Sequence, residues 1–425
     1  MSLAGIVVRR STALPAAPLI VAFGWFAGKQ LEELWAVDWA LGSGQVNRSL
    51  LWPVALVAAV AAWDTSRMRR LDADMLERTY PRSGIAYFVL SGVPALVVGM
   101  LSSVAVLLAV ATSMRGGGQP LWLYLLVAEL MFVAAVAIGV AGGYVLPRYL
   151  AAPAVGIGLW LLLAYGSISD NTVIRRLVVS DIECCDVSQD LVVTTLAGQG
   201  LWLVGVAVIC AAIVCWRRPR KAWRFVGLAA VVILSGFGLL DRGNFQLLTM
   251  RQPREAVCQD VTGVRVCMWP EHRDQLPRWS ALAQQYRAMF SDLGPQPVSF
   301  AENGTDWSAA AMPIGVIRPG QSDQDLLQSL GLSTLQYPPE CARVDAYQPA
   351  VMSYRLYPGM EGRDLVAAWM NHRIRPELPP RLLGAPERTS EVERLLAAPE
   401  PVQLDWARQA IRANSDCATP APELP

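Results

Sequence analysis

The two histidines are the residues whose chemistry would matter most if this chain were an enzyme. His272 follows Glu271, and His372 follows Asn371 about a hundred positions later. Three N or O ligands and a water can hold zinc, so His272, Glu271 and His372 could form a site. Because they lack the close spacing of metal motifs, we favour hydrogen-bonded histidines at the surface or at a core edge. We predict no metal and no other cofactor.

Other catalytic motifs are missing from the sequence. It contains no G-x-x-x-x-G-K-[ST] phosphate loop, no H-E-x-x-H helix and no G-x-S-x-G nucleophile turn. We therefore predict that the chain is not an enzyme, and that any ATPase activity belongs to a partner. The formal net charge of +1 also disfavours a nucleic-acid partner.

Glu129 is the most unusual polar residue, because it interrupts the apolar run Leu121–Leu146. It lies about eight residues from one end, hence roughly 12 Å deep at 1.5 Å per residue. A carboxyl in a membrane is costly and faces a bundle interior or a wet cavity. Two roles remain open: packing, with Glu129 protonated or hydrogen-bonded to another helix, and lining a substrate path.

The first half of the chain supplies the membrane around Glu129. A spanning helix needs roughly 20 mainly apolar residues. Seven stretches meet this requirement, or six if a short one is discounted: Leu14–Gly28, Leu51–Trp63, Ile85–Ala111, Leu121–Leu146, Ala151–Gly166, Leu201–Trp216 and Phe225–Leu240. The sequence predicts an α-helical polytopic membrane bundle over residues 1–243.

Basic residues indicate the orientation of this bundle. With the N-terminus inside, the inner segments carry thirteen Lys and Arg residues and the outer loops carry five. Cytoplasmic loops are enriched in these residues. We expect a multi-pass protein of the plasma membrane, with a cytoplasmic N-terminus and a first helix retained as a signal anchor. After seven crossings, the remainder of the chain would be extracytoplasmic; a re-entrant last segment would reverse this.

The cysteines agree with that topology. Cys210 and Cys215 fall in an apolar segment and are expected to be free, whereas the other six fall on the predicted outer side. Glu255–Val261 and Val264–Trp269 form a predicted hairpin around Thr262-Gly263, in which Cys258 faces Cys267 at a non-hydrogen-bonded position close enough for a disulfide. Elimination then leaves Cys341 with Cys417. Cys184 and Cys185 could bridge each other, bridge elsewhere or stay reduced.

Residues 244–417 read as a small α/β domain stapled by these disulfides. A helix starts near Pro277 and ends before Gly294, and short strands follow at Pro297–Phe300 and Met312–Ile317. Further helices are predicted at Asp323–Leu330, Arg363–His372, Ser390–Ala397 and Val402–Ala413. Residues 418–425 are Pro-rich and are expected to form a disordered tail.

The segment from Asp64 to Ser83 is the best candidate for partner binding. It has apolar residues on one helical face and charges on the others, and Pro81 ends the run, as in an amphipathic helix on the inner membrane surface. It could simply hold the topology, or it could dock a cytoplasmic partner. The docking candidates are Arg67, Arg69, Arg70, Leu71, Met75, Glu77, Arg78 and Pro81.

An apolar segment followed by this helix, closed by Tyr80-Pro81-Arg82-Ser83, resembles the permease subunits of type-2 ABC exporters, especially actinobacterial ones with an extracytoplasmic C-terminal domain. The second matching stretch is Val264–His272, with Leu404–Trp406 leading to Cys417. The resemblance implies that Arg67–Arg82 docks on a separate cytoplasmic ABC ATPase, and that the subunit pairs with another permease chain as a homo- or heterodimer. The alternative is a membrane-anchored extracytoplasmic sensor, binding protein or scaffold without transport activity.

Overall fold

A computed structural model describes residues 11–68, 83–178, 185–216, 219–294, 297–305, 311–318, 320–335, 360–377, 389–414 and 419–425. The chain divides into two compact units, Met1–Arg251 and Gln252–Pro425. The first unit is mainly helical, and the second combines strands and helices.

The first unit consists of ten described helices and one small sheet. The helices are α1 (Ala13–Lys29), α2 (Glu32–Trp35), α3 (Trp39–Ser49), α4 (Leu51–Met68), α5 (Ser83–Ser113), α6 (Trp122–Val145), α7 (Arg148–Ile168), α8 (Thr172–Val178), α9 (Val193–Val214) and α10 (Pro219–Arg242). Strands β1 (Gln189–Leu191) and β2 (Leu248–Met250) pair antiparallel. This sheet joins the segment before α9 to the segment after α10.

Six helices in the described part of the chain are long and apolar enough to cross a membrane. They are Trp39–Arg67, which combines α3 and α4, Ser91–Ser113, Trp122–Val145, Arg148–Ile168, Val193–Val214 and Ala222–Arg242. Helix α1 is a shorter apolar helix of 17 residues. These spans mark the chain as a membrane protein, and a helix covers each of the seven predicted apolar stretches.

Two helices differ from the prediction in ways that have a physical cause. Helix α3 was not predicted, because Gly42-Ser43-Gly44-Gln45 looks like a polar turn. The carboxylate of Asp38 starts this helix by accepting a hydrogen bond of 2.8 Å from the Leu41 N–H. Helix α9 begins at Val193 instead of Leu201, since Gln199 and its glycine neighbours are buried inside the unit.

Small residues bring α4 and α6 into close contact. A Cβ on Gly139 would lie 2.4 Å from the Ala58 carbonyl oxygen, and one on Gly143 would lie 2.3 Å from that of Ala62. Because both contacts advance by four residues, the two helices run parallel. Such close backbone approach is typical of helices that associate in membranes.

The second unit contains a four-stranded sheet in the order β3 (Val257–Val261), β4 (Val264–Met268), β5 (Ser299–Glu302) and β6 (Ala311–Ile314). Strands β3 and β4 form the predicted antiparallel hairpin, in which Gly263 adopts a φ of 76°. Strand β5 pairs parallel to β4 and to β6. The predicted pairing of Cys258 with Cys267 is present as a disulfide.

Five helices complete the second unit at nearly the predicted positions: α11 (Leu276–Met289), α12 (Asp323–Leu335), α13 (Met360–Ile374), α14 (Thr389–Ala397) and α15 (Glu400–Asn414). Its core includes the fully buried side chains of Trp279, Trp369, Tyr286 and Phe300. In the stretch predicted to be a tail, the Pro422 carbonyl accepts a hydrogen bond of 3.3 Å from the Trp406 indole.

Candidate functional site

The C-terminal part of α4 is tied to the beginning of α1 by a buried carboxylate. Asp64 is only 6 % exposed and accepts hydrogen bonds from the hydroxyls of Ser11 and Thr12. The backbone N–H of Thr12 also donates to its two oxygens, at 3.0 and 3.1 Å. Because a helix N-terminus carries partial positive charge and unpaired N–H groups, the carboxylate is well placed there. The contact fixes α1 to α4.

Asp64 is the first residue of the segment predicted for partner binding and lies three positions before the first docking candidate, Arg67. Arg67 occupies the last turn of α4, which ends at Met68. The other predicted docking residues lie outside the described residues: Arg69, Arg70, Leu71, Met75, Glu77, Arg78 and Pro81. Sequence reasoning assigned no role to Asp64. The signal was an acidic residue near the end of one apolar helix and a Ser-Thr pair at the start of another.

Glu129 lies inside the membrane unit, on the side of α6 that faces α5. The hydroxyl of Ser103 on α5 donates to its Oε1 atom. The other carboxyl oxygen, Oε2, is buried and has no hydrogen-bond partner among the described residues. One turn further along α6, the Phe132 ring fills the space over Gly99 of α5. The carboxyl therefore has one polar partner in apolar surroundings.

A cluster of polar side chains on α3 forms hydrogen bonds to the neighbouring helices. The sequence did not reveal this cluster. Gln45 donates to the carbonyl oxygens of Ala27 and Gln30 at 3.2 Å each, and the Ser49 hydroxyl donates to Ala27 at 3.1 Å. These bonds supply further donors to carbonyls at the end of α1, where Ala27 also accepts from the Gln30 N–H at 3.3 Å. They account for a polar helix being buried among apolar ones.

Asn47 extends this cluster to α6. Its amide donates to the Tyr124 hydroxyl at 2.7 Å, and both side chains are almost fully buried. Tyr124 and Glu129 therefore provide polar contacts from α6 to α3 and to α5, respectively.

In the second unit, His272 is paired with a carboxylate that sequence reasoning did not consider. Its Nδ1 atom lies 2.7 Å from Oε1 of Glu302, and the two side chains are 0 % and 5 % exposed. The second oxygen of Glu302 accepts a hydrogen bond of 3.0 Å from the Trp269 N–H. The expectation that His272 lies at the surface or a core edge is wrong. Glu302 was missed because it lies 30 positions away, at the end of β5.

The His272–Glu302 pair joins the end of β5 to the short 3-10 helix Pro270–Gln275, which follows β4. Within the described part of the chain, no group of three His, Cys, Asp or Glu residues could hold a metal ion. The arrangement holds two segments of the core together. The buried carboxylate is satisfied by a ring nitrogen and a backbone N–H, as buried charged groups require.

Asp325, at the start of α12, accepts several hydrogen bonds on the surface of this unit. The hydroxyl and N–H of Ser322 donate to its carboxylate at 2.7 and 2.9 Å. Arg375, in the segment after α13, also donates to it at 2.7 Å. The Ser322 bonds, and less strongly the Arg375 guanidinium, hold the pKa of Asp325 below its ordinary value. This exposed contact connects α12 with the end of α13.

The described cysteines fall into two groups. Cys210 of α9 is a buried free thiol, as predicted, and Cys215 is also buried outside any disulfide. Cys185 is disulfide-bonded, which excludes a reduced state for that residue. Cys184, Cys341 and Cys417 lie outside the described residues, so the predicted pairing of Cys341 with Cys417 stays a prediction.

Together these features define a class: a helical membrane protein with a separate, disulfide-containing α/β unit. Within that class, residues 266–417 match the model of a domain of unknown function, DUF7224. The match covers most of the second unit and none of the membrane-spanning helices. No curated protein and no solved structure matched the chain.

Proposed function

We propose that this chain is a permease-like membrane subunit of an ABC-type export system. It docks on a separate cytoplasmic ATPase through Arg67–Arg82 and pairs with a second permease chain. Three features support this: the apolar helices, the excess of basic residues on the predicted inner side, and a basic amphipathic segment between two spanning helices. The N-terminus is then cytoplasmic and the second unit extracytoplasmic.

One observation carries the proposal, namely the tie between Asp64 and the start of α1. Helix α4 continues without a break from Asp64 to Met68 and so includes Arg67, where the docking segment begins. A displacement of that segment by an ATPase would therefore move Asp64. Since Asp64 holds Ser11 and Thr12, the movement would reach α1 as well. A docking helix needs such a rigid connection to the spans that it drives.

A double substitution in the docking segment tests the proposal. Leu71→Asp with Met75→Asp puts two charges on its apolar face, and we expect it to abolish co-purification of the ATPase. Val298→Asp with Val402→Asp is the matched control, because these two valines are exposed on the second unit. The control should retain the ATPase. Equal retention by both double variants would refute docking through this segment.

The alternative function is an extracytoplasmic sensor, binding protein or scaffold anchored by the helices. It is favoured by the independence of the second unit, which has its own core and its own domain match. Under this alternative, the wild-type protein would purify without an ATPase. The Leu71→Asp, Met75→Asp variant would then retain the same partners as the wild type.

A further inference from the structure

We propose that Glu129 is a proton-binding site within the membrane unit and that it carries its proton at neutral pH. The inference starts from an imbalance of hydrogen bonds around the carboxyl. Oε1 accepts one bond from the Ser103 hydroxyl, while Oε2 is buried without a partner in the described part of the chain. Burial in an apolar site disfavours the charged form of a carboxyl unless hydrogen-bond donors or an opposite charge compensate it.

Asp64 shows what the same unit supplies when it holds a carboxylate. Its two oxygens accept bonds from two hydroxyls and from a backbone N–H at a helix N-terminus. Glu129 has one hydroxyl and no helix terminus. Within one bundle, the two acidic side chains therefore have opposite surroundings.

No cation compensates Glu129 from the helices packed on α6, which are α3, α4, α5, α7 and α9. The described residues form no ion pair with it. Helices α5 and α9 contain no charged residue, and Arg48 of α3 is exposed on the surface of the unit. Asp64 and Arg67 of α4 lie near the level of Gly143, which is fourteen residues or about 21 Å along α6 from Glu129.

Two further ionisable groups on the packed helices, Arg148 and Cys210, are also remote from Glu129. Arg148 begins α7, beyond the end of α6, and its guanidinium stacks over the Trp63 ring. The Cys210 thiol of α9 packs with Ala137 and Ala141, two to three turns further along α6. No described cation on the helices packed against α6 therefore lies close enough to neutralise an ionised Glu129. A bound proton is the simplest ligand that removes the charge and occupies Oε2.

Infrared spectroscopy of the purified full-length protein tests this proposal. At neutral pH the wild type should show the C=O stretch of a protonated carboxyl, and Glu129→Gln should lose it. Ser103→Ala should retain the band and shift it to higher wavenumber, because the carbonyl loses its hydrogen bond. Asp325→Asn is the control, since that carboxyl has a lowered pKa and should contribute no such band.

Dicyclohexylcarbodiimide provides a second measurement that needs no transport assay. The reagent is apolar; it takes the carboxyl proton on one nitrogen while the carboxyl oxygen adds to its central carbon, so the adduct contains all atoms of both reactants. Mass spectrometry should find the adduct on Glu129, and Glu129→Gln should lack it. The proposal is overturned if the wild-type and Glu129→Gln infrared spectra are the same in the C=O region, which would mean that the carboxyl is ionised.

Discussion

Asp64 and Thr12 are joined by hydrogen bonds across 52 positions of the sequence, from the C-terminal part of α4 to the residue before α1. The bonds come from the backbone and the side chain of Thr12 together, so the carboxylate both fixes and caps α1. This contact links the membrane fold to the proposed docking segment.

Removing the carboxylate should destabilise the membrane unit. Asp64→Ala leaves the buried Ser11 hydroxyl and the part-buried N–H and hydroxyl of Thr12 without this acceptor. The expected cost is about 1–3 kcal/mol per buried donor left unsatisfied. Thermal unfolding in detergent, followed by tryptophan fluorescence, measures it. Asp241→Asn alters an exposed carboxylate of the same unit and should have little effect. Equal melting temperatures for the two variants would contradict the structural role of Asp64.

The close approach of α4 and α6 makes a second prediction. Gly139→Val places a side chain against the Ala58 carbonyl, so the helices must separate. Overpacking of this kind costs about 1–3 kcal/mol. Gly158→Val is the matched control on α7, because no atom lies within 4 Å of the Cβ position there. The same thermal assay should show a loss for the first variant alone. A loss of similar size in both would argue that helix propensity, not packing, is responsible.

In the second unit, replacing Glu302 of β5 should lower the free energy of unfolding more than replacing an exposed acidic residue on the 3-10 helix that contains His272. Glu302→Ala removes the acceptor used by the Trp269 N–H and by the His272 ring. We expect a loss of about 1–3 kcal/mol or more. Asp274→Ala is the control, since Asp274 is exposed on the same 3-10 helix. Denaturant unfolding should give a clearly lower free energy of unfolding for Glu302→Ala than for Asp274→Ala and the wild type. A lower value for Asp274→Ala than for Glu302→Ala would refute the stabilising role of the His272–Glu302 contact.

The Cys258–Cys267 disulfide allows two predictions, one about the stability of the second unit and one about the side of the membrane on which it lies. Cys267→Ser opens a hairpin loop and should cost about 2–3 kcal/mol by the loop-entropy relation, for cysteines separated by 9 positions. The same variant leaves Cys258 as an exposed thiol. If the second unit is extracytoplasmic, a membrane-impermeant maleimide added to intact cells should label it.

A cysteine on the opposite side controls for permeability. Arg224 is exposed in the first turns of α10, on the predicted inner side. Arg224→Cys should react only after the membrane is permeabilised. If Cys258 of the Cys267→Ser variant also requires permeabilisation, the predicted orientation is wrong.

The sequence predicted best what depends on local pattern. The apolar stretches, the β3–β4 hairpin with its disulfide, and α11 to α15 follow from periodicity, turn residues and caps, and the structure contains them. Helix α3 was missed because its stability comes from burial against α1 and α6, and not from its own glycine-rich sequence. Tertiary contacts overrode local propensity there.

The candidate site was less predictable for the same reason. Glu129 could be singled out because an acidic residue within an apolar run is visible in the sequence. The partners of Asp64 and His272 lie 52 and 30 positions away, and only the fold brings them together. A sequence pattern records which residues are polar, but not which polar residues meet.

Purification of the protein from native membranes in mild detergent, with mass spectrometry of the proteins bound to it, tests the central claim most directly. The proposed function predicts a stoichiometric ATPase with a G-x-x-x-x-G-K-[ST] phosphate loop, which the Leu71→Asp, Met75→Asp variant does not retain. An intact wild-type protein that purifies without any such ATPase would contradict the permease function and favour the sensor or scaffold.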